Sequence, residues 1–119
     1  MYKEDYIERS RQMLYQVWPM ILRDGQPSYY SNWCQLMLSL IKPPYEIAIV
    51  GESFEVPLKE LQQGYRPDAI YLGGSDDMSL PLLENKLSPG QTLIYVCQNK
   101  VCKMPTADIA KALSLMEEK

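Results

Sequence analysis

Residues 45–74 read YEIAIVGESFEVPLKELQQGYRPDAIYLGG, and the spacing of their apolar residues changes twice. The apolar stretches 45–50 and 69–72 are short, rich in branched residues and followed by glycine, which is typical of buried strands. Between them an apolar stripe recurs at helical spacing: Phe54, Leu58, Leu61 and Tyr65. A strand–helix–strand unit of about 28 residues predicts two parallel strands joined by a right-handed crossover.

The segments on either side of this unit complete the predicted architecture. Downstream, residues 92–98 (TLIYVCQ) predict a third strand, and Thr106 is a suitable N-cap for a closing helix with Asp108 in its first turn. Upstream, residues 3–23 and a stripe from Trp33 to Ile41 predict two helices, and Pro19 is expected to kink the first one near Trp18. We therefore expect an α/β fold: a small three-stranded, mainly parallel sheet flanked by helices and preceded by an α-helical hairpin.

The predicted organisation has two parts that form one unit. Residues 1–44 make the helical hairpin and residues 45–119 make the small α/β domain, with a seam at Lys42-Pro43-Pro44. A chain of 119 residues with 46% hydrophobic and 23% charged residues has the composition of an ordinary globular domain.

Charge and composition exclude several classes of function. A net charge of −3 gives no basic face for phosphates, so we expect no nucleic-acid partner. No apolar run reaches the roughly 18–20 residues that span a bilayer, and the polar N-terminus is not a signal peptide, so we expect no membrane partner. Three cysteines without an export signal predict reduced thiols in the cytoplasm. The absence of histidine excludes Ser-His and Cys-His mechanisms and His-based zinc sites.

Two motifs carry a family resemblance. YVCQNKVCKMPTAD (residues 95–108) and PLLENK (residues 81–86) resemble the C-terminal tail of the spermatogenesis-associated, thioredoxin-domain-containing protein family. Members of that family have a thioredoxin-like domain, an α/α toroid of the six-hairpin glycosidase type and a small α/β tail. YYSNWCQLMLSLIKPPYEIAIVG (residues 29–51) looks like the last toroid hairpin running into that tail. The resemblance thus covers most of this chain and a small part of such a protein.

The resemblance implies a structural role. The thioredoxin-like domain and nearly all of the toroid have no counterpart here, so none of their functional residues can be carried over. We expect a non-catalytic structural or interaction module without a cofactor, whose partner is the rest of the parent chain or a second copy. Its contact face is expected on the helical hairpin, with the following anchors: Trp18, Trp33, Leu36 and Leu40.

The cysteine pair gives the alternative function. Cys97 and Cys102 form a C-x4-C motif, which indicates a thiol-redox couple or half of a metal site. A zinc ion would need Cys34 or carboxylates as further ligands, and Lys100 and Lys103 would favour a thiolate. The alternative is that the cysteines are small apolar core residues. If their Cα atoms lie more than about 7 Å apart, they cannot form a disulfide without backbone movement.

The ends of the two predicted parallel strands give a third hypothesis. Small-ligand or phosphosugar binding would use five residues there: Gly51, Glu52, Ser53, Gly73 and Gly74. A single glycine in the first junction and the negative charge of Glu52 argue instead for an ordinary tight turn. Asp76, Asp77 and Glu84 are interpreted as solvated carboxylates rather than acid–base catalysts.

Overall fold

A computed structural model describes residues 4–75 and 80–117. The chain divides into two units, of which the first ends at Pro43 and the second begins at Pro44. The first unit contains helix α1 (Glu4–Asp24), a short 3-10 turn (Pro27–Tyr30) and helix α2 (Ser31–Ile41). Helix α1 continues through Pro19. Among the described residues, none of the helices is sufficiently long and apolar to cross a bilayer.

The helical hairpin buries few of its side chains. Leu14 and Ile21 of α1 are buried, whereas the described part of α2 contributes no buried residue. At the turn, the Tyr30 hydroxyl donates a hydrogen bond to the Asp24 carboxylate. This bond lowers the pKa of Asp24 and raises that of Tyr30. The hairpin therefore has only a small buried core among its described residues.

The second unit confirms the α/β class but has four strands. They are β1 (Tyr45–Val50), β2 (Ala69–Gly74), β3 (Leu93–Gln98) and β4 (Val101–Cys102), in the spatial order β2-β1-β3-β4. The β1 and β2 strands are parallel and are connected through helix α3 (Glu55–Gln62), as the sequence predicts. The expectation of three mainly parallel strands was wrong, because β3 is antiparallel to β1 and β4 is antiparallel to β3.

The two departures from the expected sheet have local causes. The end of β2 and the start of β3 both lie beside Val50, at the same end of the sheet, so no crossover helix is needed between these strands. The fourth strand follows a two-residue turn, in which Asn99 (φ 52°) and Lys100 (φ 67°) both have positive φ. Two such residues match the twist of a β-hairpin, so the chain folds straight back instead of forming the expected loop.

The sheet is covered differently on its two faces. Alternate residues of β1 point to opposite sides, which creates two core clusters. On the first face, Tyr45, Ile47 and Ile49 pack with residues of α3 and of helix α4 (Ile109–Glu117). On the second face, Ala48 and Val50 pack against the fully buried Leu83, which lies in the irregular segment 80–86. The PLLENK motif therefore covers one side of the sheet.

Two expected helix boundaries needed correction. Tyr65 was expected on the α3 stripe, but α3 ends at Gln62 and Tyr65 is exposed. Thr106 was expected to cap α4, but it is buried and its backbone pairs with Ile94 on β3. The capping group is Asp108, whose carboxylate accepts a hydrogen bond from the Ala110 amide at 2.9 Å.

Candidate functional site

The cysteine pair lies on the hairpin formed by β3 and β4. Cys97 and Cys102 are directly opposite one another in the ladder, with their Cα atoms 3.9 Å apart, and they form a disulfide. The separation is well inside the limit of about 7 Å beyond which no bond could form. The expectation of reduced thiols therefore does not hold for this pair, whereas Cys34 is a free thiol. Cys97 is buried, with 1% of its surface exposed, whereas Cys102 is exposed. An external thiol would therefore reach the Cys102 side of the bond more easily.

A glutamate is the neighbour of Cys97 on the central strand. Glu46 of β1 is opposite Cys97 in the antiparallel ladder. Both side chains lie on the second face of the sheet, because Glu46 is two residues before Ala48 and Cys97 is two residues after Tyr95. The Oε2 atom of Glu46 is buried and has no hydrogen-bond partner among the described residues. Burial raises the pKa of this carboxyl group, although the Lys86 ammonium acts in the opposite direction.

Lys86 belongs to segment 80–86, the covering segment, which packs on this face of the sheet. The Tyr95 hydroxyl donates a hydrogen bond to the Lys86 carbonyl at 2.9 Å. The Lys86 ammonium lies 5.8 Å from the centre of the Tyr95 ring, within the range of a cation–π contact. The second face thus combines a disulfide, a partly buried carboxyl group and an ammonium group.

Lys103 lies on the other side of the sheet. Its Nζ atom donates a hydrogen bond to the carbonyl of Leu115 in α4 at 2.8 Å. Because successive strand residues alternate, the residue after Cys102 points away from the disulfide. The Lys103 ammonium is therefore bonded to α4, whereas Lys86 contributes a positive charge beside Tyr95 and Glu46 on the face that carries the disulfide.

The candidate ligand-binding residues lie at the ends of β1 and β2. The Gly51 amide donates a hydrogen bond to the Gly74 carbonyl at 3.0 Å, and the Ser53 amide donates one to the Thr92 hydroxyl at 3.2 Å. A Cβ atom added to Gly51 would lie 2.5 Å from the Thr92 Cα atom, and one added to Gly73 would lie 2.6 Å from the Phe54 ring. Both glycines therefore permit close packing, with Gly74 buried and Glu52 exposed nearby.

The remaining predicted residues are distributed over both units. The four hairpin anchors are each half-buried: Trp18, Trp33, Leu36 and Leu40. Cys34 is a half-buried free cysteine in the helical unit, and Glu84 is exposed in the covering segment. Asp76 and Asp77 lie outside the described residues. Within residues 4–75 and 80–117, no group of three cysteine or carboxylate side chains is placed to hold a metal ion.

Sequence reasoning found the cysteine pair but missed Glu46. A signal for it was present, since Glu46 is the one charged residue in the otherwise apolar strand YEIAIV. A carboxylate in a central, buried strand is unusual unless it is paired or has a role. Glu46 could therefore have been proposed as a site residue from the sequence.

Fold and site together define an α/β protein whose mixed sheet carries a cross-strand disulfide beside a partly buried glutamate. No family model, curated protein or solved structure matches the chain. Its function is therefore inferred from the chain's own residues.

Proposed function

We propose that the chain is a non-catalytic, C-terminal structural and interaction module of a larger cytoplasmic protein. The parent would be of the spermatogenesis-associated, thioredoxin-domain-containing type, with a six-hairpin, glycosidase-like toroid. The resemblance of residues 95–108 and 81–86 supports the parent family. The exposed apolar surface of the helical hairpin supports the interaction role.

The observation that carries this proposal is the apolar surface of α1 and α2. Leu22 is 64% exposed, Leu38 is 61% exposed and Ile41 is 72% exposed, and Tyr29 and Met20 are exposed as well. Single exposed apolar residues are common on soluble proteins, but such a concentration on one short hairpin is typical of a contact surface. Because this unit buries only Leu14 and Ile21 among its described residues, contact with another helical surface would add much of its stability.

The occupant that fits this surface best is the helical toroid of the same parent chain. A pair of helices with apolar residues on their outward sides packs well between other helices. The half-buried anchors Trp18, Trp33, Leu36 and Leu40 would lose their remaining exposed area in such a contact. A second copy of this chain would be the alternative occupant.

The test replaces exposed apolar residues by glutamate, at positions of similar exposure inside and outside the hairpin. Leu22→Glu and Leu38→Glu should leave the sheet folded, and should weaken binding to a separately produced toroid segment from a protein of the proposed family by at least about tenfold. Val56→Glu is the control, because Val56 is 62% exposed but lies on α3 in the other unit. Binding is measured by calorimetry and self-association by light scattering. Equal binding by all three variants would refute the hairpin as the contact face, whereas concentration-dependent dimers lost in the leucine variants would favour a second copy.

A second candidate function is supported by the disulfide. We propose that Cys97 and Cys102 form a thiol-redox couple, since they are adjacent in the ladder and one of them is exposed. The experiment is a thiol titration of the native protein before and after treatment with dithiothreitol and after re-oxidation. Reversible loss and recovery of two thiols supports the couple. A pair that does not re-form its disulfide on re-oxidation, or that resists dithiothreitol in the folded state, would exclude it.

A further inference from the structure

The cysteine pair has a proton-carrying group beside its buried sulfur. Glu46 is the cross-strand neighbour of Cys97 on the same face of the sheet, and its Oε2 atom is buried without a hydrogen-bond partner among the described residues. We propose that Glu46 is the proton donor and acceptor for Cys97 when the Cys97–Cys102 disulfide exchanges with an external dithiol. This inference rests on the redox function proposed above, and it identifies the residue that would transfer the proton at that site.

The different exposure of the two cysteines sets the direction of attack. Cys102 is exposed, whereas Cys97 is buried with 1% of its surface accessible. An incoming thiolate would therefore attack the Cys102 sulfur, and Cys97 would be the leaving group. Because Cys97 leaves inside the protein, its developing negative charge cannot be stabilised by water and depends on a nearby proton or cation.

The exchange balances in atoms and electrons. A thiolate of the external dithiol forms a bond to the Cys102 sulfur, the Cys97–Cys102 bond breaks, and its electron pair goes to Cys97. The Glu46 carboxyl group gives its proton to the Cys97 sulfur and becomes a carboxylate. The second thiol of the external dithiol loses its proton to water and attacks the reagent's other sulfur, which is bound to Cys102 in the mixed disulfide. A disulfide forms within the reagent, the bond to Cys102 breaks, and the Cys102 thiolate takes a proton from water. The protein disulfide gains two electrons, and the external dithiol is oxidised to a disulfide.

The environment of Glu46 suits this role. Its neighbour on β2 is the apolar Ile70, and its neighbours on β3 are Cys97 and, diagonally, Tyr95. Burial raises the pKa of Glu46, so that it holds a proton at a higher pH than an exposed glutamate does. From the covering segment, the Lys86 ammonium would stabilise the carboxylate formed after proton transfer, because it favours the ionised form. The reverse reaction, oxidation of the dithiol, would use that carboxylate as the base for the Cys97 thiol.

The test measures the reduction of the disulfide by dithiothreitol over a range of pH. Each rate is divided by the concentration of dithiothreitol thiolate, so that any remaining pH dependence of the rate comes from titration of the protein. The normalised rate of the unsubstituted protein should fall as the pH rises and Glu46 loses its proton. Glu46→Gln should be slower by at least about tenfold at the acidic end, and its normalised rate should not change with pH.

The acidic end of the series separates proton transfer from charge alone. There the protonated Glu46 side chain and the glutamine side chain that replaces it are both neutral, so a purely electrostatic effect would give equal rates. Glu52→Gln is the control, because Glu52 is exposed just beyond the end of β1 and should behave like the unsubstituted protein. Circular dichroism and urea unfolding verify that both variants keep the fold.

Two outcomes would overturn the proposal in distinguishable ways. If the disulfide of the unsubstituted protein does not cycle reversibly, the redox function fails and the role of Glu46 fails with it. If it cycles but Glu46→Gln has the same normalised rates and pH profile, only the role of Glu46 is refuted. A further check concerns the direction of attack. Cys97→Ser should accumulate a mixed disulfide with glutathione at Cys102 faster than Cys102→Ser does at Cys97, and the reverse order would contradict attack at Cys102.

Discussion

Reduction of the Cys97–Cys102 disulfide should leave the α/β unit folded. The bond joins residues separated by 5 positions in sequence, so it closes a very short loop. In the chain-entropy treatment, a loop of that length restricts the unfolded chain by about 2 kcal/mol at 25 °C. The stabilisation should not exceed this, because the turn at Asn99 and Lys100 already holds the two strands of the hairpin together.

The rest of the sheet is stabilised independently of the bond. The central strand β1 is paired on both sides, and its residues Ile47, Ala48, Ile49 and Val50 are fully buried between the two core clusters. These contacts lie outside the β3–β4 turn and persist when the sulfur–sulfur bond is broken. A redox couple requires this behaviour, since both oxidation states must keep the site intact.

The assay is urea unfolding of the oxidised and the reduced protein, followed by circular dichroism. The expected loss on reduction is at most about 2 kcal/mol in the free energy of unfolding. Cys34→Ala is the control substitution, because Cys34 is a free cysteine in the helical unit and should not change the difference between the two states. A loss of more than about 4 kcal/mol, or unfolding on reduction without urea, would refute the reasoning.

Three further predictions concern the sheet. Leu83→Ala should cost about 2–5 kcal/mol in urea unfolding, because Leu83 is fully buried under the second face; a cost below about 1 kcal/mol would contradict that packing. Gly51→Ala should destabilise by more than about 2 kcal/mol, since the new Cβ would lie 2.5 Å from the Thr92 Cα atom, whereas Gly64→Ala should cost little because nothing lies within 4 Å. Burial raises the pKa of Glu46, so the contribution of its protonated form to stability is full below the ordinary pKa of 4.5 and is lost as the pH rises through the pKa of the folded state. Glu46→Gln should remove this part of the pH dependence from free energies of unfolding measured over a pH series. An unchanged pH dependence would contradict the prediction.

Much of the fold followed from local patterns. The strand–helix–strand unit was correctly predicted because β1 and β2 are short apolar runs and α3 has helical spacing between them. The direction of β3 was not predictable, since the long connection from β2 allows the next strand to run either way. The β4 strand was missed because two residues give no periodicity, and its turn contains Lys100 where a glycine is the usual signal.

The candidate site was also only partly predictable, because local sequence patterns do not show which strands pair. The spacing of Cys97 and Cys102 identified the pair, but only the ladder shows that they are opposite one another. Glu46 lies 51 positions before Cys97 in the numbering, and strand order alone brings the two residues together. Pairing across strands depends on register, which a single sequence specifies weakly.

The two proposed functions can be tested separately because they use different units of the chain. The apolar contact residues precede Pro43, whereas the cysteine pair and Glu46 follow Pro44. If the units act independently, Leu38→Glu should leave the rate of disulfide exchange unchanged, and Glu46→Gln should leave binding through the hairpin unchanged. A change in either measurement would instead mean that occupation of the hairpin surface and the oxidation state of the cysteine pair are linked, which would make the module a redox-sensitive connector rather than a passive one.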